Sequence, residues 1–146
     1  MKFARESISD VWTEVQALLN EHWREIAHYQ DIPLQPDEQL YLTSPALRCF
    51  TAREDSLVGY ACFIVCPNKH YMGSLQAMQD VLFISPSHRK GLTGYRFIRW
   101  CDEQLKAEGV QVVYHHTKAA HDFGALLKRQ GYEEVDRIYA KRLDKG

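Results

Sequence analysis

The stretch VLFISPSHRKGLTGYRFIRW, residues 81–100, decides how the rest of the chain is read. Its opening, Val81 to Ile84, is an apolar run stopped by Pro86, which reads as a strand. Its close has helical spacing, from Gly94 through Phe97 and Ile98 towards Cys101 and Leu105. Between the two stand His88, Arg89, Lys90, Gly91, Leu92 and Thr93. A helix start leaves N–H groups without partners and carries partial positive charge, and glycine lets the backbone approach an anion closely. A strand, a basic glycine-containing loop and a helix in that order predict a phosphate cradle made from the amides of residues 89–94. The loop has neither the GxxxxGK pattern followed by Ser or Thr of a nucleotide P-loop nor the GxGxxG dinucleotide fingerprint.

Working outward, Gly109 stops the helix, VQVVYHH (110–116) reads as a short buried strand, and AHDFGALLKRQ (120–130) as a short helix punctuated by Gly131. The segment YEEVDRIYAKRL (132–143) alternates as a final strand would. Upstream, SLQAMQDVLFIS (74–85) forms a strand after the turn NKHYMG, and ALRCFTARE with SLVGYACFIVC form a hairpin around EDS. The three prolines of DIPLQPDEQLYLTSP (31–45) predict an irregular loop. Ser9 caps a helix that ends before Pro33, with Val11, Val15, Leu18, Leu19, Trp23 and Ile26 on one side. The order is helix, three strands, helix, strand, helix, strand. That is an α/β protein with a mixed sheet and crossover helices.

Composition sets the outer bounds. A chain of 146 residues, 45% hydrophobic and 25% charged, is expected to form a single globular domain over 1–146. A net charge of -1 gives no general attraction to nucleic acid. The local cluster Arg89, Lys90, Arg96 and Arg99 leaves that reading last in rank. No apolar stretch approaches the roughly 20 residues of a membrane span. MKFARESISD lacks the apolar core of a signal peptide, so a cytoplasmic location is expected. Cys49, Cys62, Cys66 and Cys101 match neither a paired-CxxC zinc site nor a dense disulfide framework, and Cys62 and Cys66 read as buried thiols on one strand face. His115, His116 and His121 are not accompanied by a carboxylate or thiol at ligand spacing, so no metal is expected.

The block VLFISPSHRKGLTGYRFIRWCDEQLKAEGVQVVYHH resembles the strand, pyrophosphate loop, helix and following strand of the GNAT superfamily of acyl-CoA-dependent N-acetyltransferases. ALLKRQGYEEV resembles the late helix of that family, ending in a Gly-aromatic pair, here Gly131 and Tyr132. The resemblance covers about residues 75 to 143, and the short chain has the look of compact phage or bacterial members. The family loop is commonly Arg or Gln, two residues, Gly, one residue, Gly or Ala; His88 takes the first place, Gly91 the first glycine place and Thr93 the second, with Gly94 one residue late.

The resemblance implies a mostly antiparallel sheet splayed at its centre and flanked by helices. It implies acetyl-CoA as co-substrate, its pyrophosphate on the loop from His88 to Gly94 and its pantetheine arm beside the strand ending at Ile84. An amine then attacks the thioester directly, with oxyanion help from a strand amide around Leu82, Phe83 and Ile84. The family's usual tyrosine acid, four residues before the Gly-aromatic pair, is replaced by Leu127. Tyr139 and Tyr95 are substitutes, and the thiolate can also leave without an enzyme acid. Asp80, six residues before Pro86, stands where related sequences often carry an acidic residue directed at the substrate. It can act as base, act through water or hold the ammonium. Of His115 and His116, adjacent on one strand, only one can point into the cleft, and a histidine is a natural base near neutral pH. Trp12, Trp23, Tyr29, Asp31, Asp37, Glu38 and Tyr41 would border the acceptor side and suit a cationic amine. A small polyamine-like or aminoglycoside-like amine, a protein lysine or N-terminus and a modified nucleobase all stay open, as does a homodimer. The competing reading is a noncatalytic GNAT-like binding, regulatory or virion protein, favoured by Leu127 and the displaced glycine.

Overall fold

Period-two alternation in the first half of the chain is satisfied by pairing of neighbouring strands, and the sheet grows in sequence order. The computed structural model describes residues 1–29 and 31–145. Strands β1 (Lys2–Arg5), β2 (Leu47–Arg53), β3 (Leu57–Pro67), β4 (Leu75–Ile84) and β5 (Val112–Tyr114) lie side by side in that order. The first four are mutually antiparallel, and β5 is parallel to β4. A parallel neighbour requires a crossover. Helix α3 (Thr93–Ala107) supplies it, ending at Gly109, whose φ of +94° is the left-handed stop a glycine provides.

Helix α1 (Ile8–Ile26) covers one face of the sheet, joined by the short helix α2 (Glu38–Thr43). It buries Ile8, Val11, Val15 and Leu18 against Leu57, Tyr60, Cys62, Val81 and Phe83. On the other face Phe97, Cys101 and Leu105 of α3 pack with Phe50, Phe63, Ala77 and Ile84. Gly59 lets β3 and β4 approach closely: a Cβ there would stand 2.7 Å from the Phe83 carbonyl oxygen. Among the described residues no helix is long and apolar enough to cross a membrane. The four cysteines are free, with Cys49, Cys62 and Cys101 buried and Cys66 half-buried.

Three elements differ from the sequence expectation. Lys2–Arg5, which carries no element in the sequence reading, is a strand because the free edge of β2 accepts it in register from Lys2↔Arg53 to Arg5↔Phe50. The proline-rich segment contains α2, started by the Asp37 side chain, which accepts the Leu40 amide at 3.1 Å. The expected final strand over 132–143 is not a strand: Val135, Ile138, Tyr139 and Leu143 are 65%, 82%, 86% and 87% exposed. Alternation is a local signal, whereas a strand needs a partner edge. The segment is held at its two ends: Tyr132 donates its hydroxyl to Asp102, and beyond the exposed middle Arg142 and Lys145 donate to Asp31, with Arg142 over the Tyr29 ring.

Candidate functional site

The loop between β4 and α3 folds as a short 3-10 turn, Pro86–His88, followed by Gly91 at φ +69°. Among the described residues the amides from Lys90 to Tyr95 have no acceptor in the chain; the first bond of the helix is Arg96 N–H to the Leu92 carbonyl, at 2.8 Å. A consecutive run of free donors at the start of a 15-residue helix is an anion cradle. Gly94 is needed for space as well, since a Cβ there would meet Leu126 Cδ2 at 3.3 Å. Lys90 is exposed beside the cradle. The Arg89 side chain instead turns inward: its Nε donates to the Ile84 carbonyl at 2.6 Å and a terminal nitrogen donates to Glu25 at 2.8 Å. Its guanidinium sits 5.4 Å from the centre of the Phe83 ring.

The second wall is the edge of β4. Pairing with β5 stops at Met78↔Tyr114, so the two strands part from Gln79 onward. Ser85 N–H donates to Val58 on β3. By the alternation of an antiparallel strand, Ile84 and Leu82 therefore present their N–H and C=O groups to the open side. Two side chains bracket this gap: His116 Nε2 lies 2.7 Å from the Gln79 carbonyl at one end, and Arg89 holds the Ile84 carbonyl at the other. The rung at Leu82 is left free between them. A groove of about 130 Å³ opens there, lined by Leu82, Phe83, Ile84, Ile98, Phe123 and Leu126, with Glu25, Arg89 and His121 at its polar side. Apolar walls, one free strand rung and a run of free amides fit an acyl thioester carried on a long arm that ends in a diphosphate.

Asp80 is the extra residue of a bulge, because Cys62 pairs with Val81 while Phe63 pairs with Gln79. The bulge turns its carboxylate to the α1–α2 side, where the Tyr41 hydroxyl donates to it at 2.5 Å. Burial, and then the carboxylate itself, push the Tyr41 phenol far up, so it stays a donor. Below lies the buried Tyr60 hydroxyl, which has no partner among the described residues.

Helix α1 adds a second polar group that the sequence reading did not single out. Its buried seam, Ile8, Val11, Val15 and Leu18, continues at the same spacing onto His22 and Glu25 rather than Leu19, Trp23 and Ile26. That i, i+3, i+4 continuation was the available signal, hidden because a polar pair on a helix usually faces water. His22 stacks on Phe83 at 4.8 Å, and burial pushes its pKa down to about 4. Burial alone would raise the Glu25 pKa, but the Arg89 hydrogen bond and charge and the nearby histidines hold it below its ordinary value.

The remaining sequence candidates stand apart. His115 lies on the α3 side, its Nδ1 at 2.9 Å from Gln79 Oε1 and its ring edge-on to Phe63, Phe123 and Tyr132. Its Nε2 is buried without a partner, and burial pushes its pKa down to about 4. Tyr139 is on the exposed C-terminal segment and does not line the groove. Leu127 is buried, at 7% exposure. Among the described residues no group of three or more His, Cys, Asp or Glu is placed to hold a metal ion.

No family model and no curated protein matches the sequence. Solved structures match the architecture. A ribosomal-protein-alanine N-acetyltransferase from Brucella melitensis biovar Abortus superposes with a TM-score of 0.73 at 19% identity, over 98% of this chain and 100% of its own. An aminoglycoside acetyltransferase from an uncultured soil metagenomic sample, in complex with sisomicin, gives 0.71 at 17% identity over 97% and 95%. A predicted acetyltransferase from Clostridium acetobutylicum, with acetyl-CoA, gives 0.68 at 11% identity over 99% and 97%. The chain has the GNAT acetyltransferase fold. In this chain the free amides from Lys90 to Tyr95 stand beside the parting of β4 from β5. The Arg89 guanidinium is spent on the chain's own groups.

Proposed function

We propose that the chain is an N-acetyltransferase that moves the acetyl group of acetyl-CoA to a primary amine by direct attack. The observation that carries this reading is the run of unpaired amides from Lys90 to Tyr95 beside a groove whose other wall is the open edge of β4. The co-substrate supplies an activated acyl group as a thioester. The protein's residues do the rest. The amides from Lys90 to Gly94 hold the diphosphate, with Lys90 adding charge, whereas those of His88 and Arg89 already donate to the Ser85 and Pro86 carbonyls. The apolar wall of Leu82, Ile98, Phe123 and Leu126 seats the arm and excludes water. The Leu82 N–H donates to the carbonyl oxygen as it gains charge, which is worth most where water is excluded. Asp80, kept in place by Tyr41, draws the ammonium of the acceptor to the α1–α2 side. With leucine at 127, the leaving sulfur takes its proton from the attacking nitrogen.

The acceptor side carries carboxylates at Asp80 and Glu25, which supports a cationic amine. Titration calorimetry with acetyl-CoA, followed by thiol release with spermidine, sisomicin and an alanine-initiated peptide, tests the reading. Saturable heat and release with at least one amine is expected. A second reading, a noncatalytic module, draws on the packed Leu127 and on Arg89 occupying the Ile84 carbonyl. Absence of saturable heat would favour it and remove the transferase.

A further inference from the structure

The seam of α1 ends in Glu25, and the loop between β5 and helix α4 (Gly124–Arg129) brings His121 to the same groove. His121 Nε2 stands 3.8 Å from Glu25 Oε1, and the imidazole side chain is 42% exposed. The same carboxylate oxygen accepts from Arg89, which is itself fixed by the Ile84 carbonyl and the Phe83 ring. A basic nitrogen open to solvent, a carboxylate behind it and a guanidinium behind that is the arrangement of a base with an orienting group. Asp80 is already engaged by Tyr41 and is suited to holding charge.

We infer that His121 is the base that takes the proton from the acceptor ammonium, and that Glu25, held by Arg89, is the positioning residue that orients its ring; this rests on the acetyltransferase reading above. The Nε2–H faces Glu25, so the Nδ1 lone pair is the one offered to the substrate. The 3.8 Å separation is longer than a hydrogen bond, as catalytic contacts often are before substrate is bound. The ammonium gives one proton to Nδ1, and its nitrogen then bonds to the acetyl carbon. The carbon–sulfur bond breaks, the sulfur leaves with the second nitrogen proton as a thiol, and the imidazolium returns its proton to water. The groups facing His121 are Glu25 and His22 from α1, Arg89 from the β4–α3 loop, and Lys118 and Asp122 from its own loop.

The test is the pH profile of kcat/KM for acetyl-CoA with sisomicin or an alanine-initiated peptide, for wild type, His121→Gln and Glu25→Gln. Wild type should show a plateau through neutral pH. His121→Gln should lose roughly 100-fold near pH 7. It should rise tenfold per pH unit, following the free amine, with unchanged acetyl-CoA binding by calorimetry. Imidazole in the buffer should restore turnover to His121→Gly. In Glu25→Gln the tautomer of neutral His121, read by nitrogen NMR, should move away from the Nε2–H form, a readout independent of turnover. A plateau retained in His121→Gln, or a His121 tautomer unmoved by Glu25→Gln, overturns this inference while leaving the transferase standing. Wild type that fails to bind acetyl-CoA overturns both.

Discussion

Gly91 is where the proposed diphosphate cradle can be tested with charge alone. Its φ of +69° is left-handed, and a Cβ built there would meet nothing within 4 Å. A side chain at this position is therefore strained by the backbone but not blocked by its surroundings. Gly91→Ala should cost about 1–2 kcal/mol of stability. Gly91→Gln and Gly91→Glu share that strain and that shape, so their difference isolates one negative charge. If the amides of Lys90 to Tyr95 hold a diphosphate, the carboxylate introduced by Gly91→Glu comes near it. At roughly 6 Å in a water-like dielectric each pair of unit charges costs about 0.7 kcal/mol. Two diphosphate charges bring this to about 1.4 kcal/mol, a tenfold loss in Kd. Calorimetry with acetyl-CoA at about 0.05 M salt should show that ratio. It should shrink towards unity near 1 M, where the screening length falls to about 3 Å. Equal affinities of the Gln and Glu variants at low salt would refute the cradle, whatever the two variants do to stability.

Three further outcomes follow from the packing and the charges. Gly59→Ala places a methyl 2.7 Å from the Phe83 carbonyl oxygen, so β3 and β4 must separate; a loss of about 1–3 kcal/mol in urea unfolding is expected, and an unchanged midpoint would contradict the close approach. His22 is neutral when buried, with a pKa lowered from 6.5 to about 4, so the unfolded chain binds a proton that the folded chain refuses as pH falls below 6.5. Stability should drop by up to roughly 3 kcal/mol between pH 7 and pH 4 from this group, and His22→Asn should flatten that part of the curve. Asp80→Asn keeps an acceptor for Tyr41 but removes the charge, so kcat/KM for an amine should fall roughly tenfold or more with acetyl-CoA affinity unchanged; equal turnover would remove Asp80 from the acceptor site.

What could be read from the sequence and what could not divide along physical lines. The β4–loop–α3 unit was legible because each piece carries its own local signal: an apolar run closed by Pro86, glycines where φ turns positive, and a 3.6-period helix. The hairpins around residues 54–56 and 68–73 were legible for the same reason. Lys2–Arg5 was not, since four residues become a strand only when an edge elsewhere accepts them. The segment 132–143 is the converse case, alternating without a partner edge. The side chains that bracket the open edge of β4 were hidden more deeply. His116 reaches Gln79 across 37 positions, Arg89 reaches Glu25 across 64, and Tyr41 reaches Asp80 across 39. Spacing along one chain carries no record of such pairs.

The structure also changes what the basic loop means. Read along the chain, Arg89 is one more positive charge in a basic loop; in the fold it ties the β4–α3 loop to helix α1 through Glu25 and seals the last carbonyl of β4. Charge for an anion must then come from free backbone amides and Lys90, which makes the site depend on loop conformation more than on side-chain identity. The same tie makes the two halves of the site interdependent. Any movement of the loop onto a diphosphate pulls on Glu25, and Glu25 stands beside His121. Binding at one side must therefore alter the other by the same factor in reverse, because coupling between two ligands is reciprocal. Arg89→Met, which keeps the apolar stem but cuts both bonds, should separate the two bindings; an amine affinity that still responds to acetyl-CoA in that variant would place the coupling elsewhere.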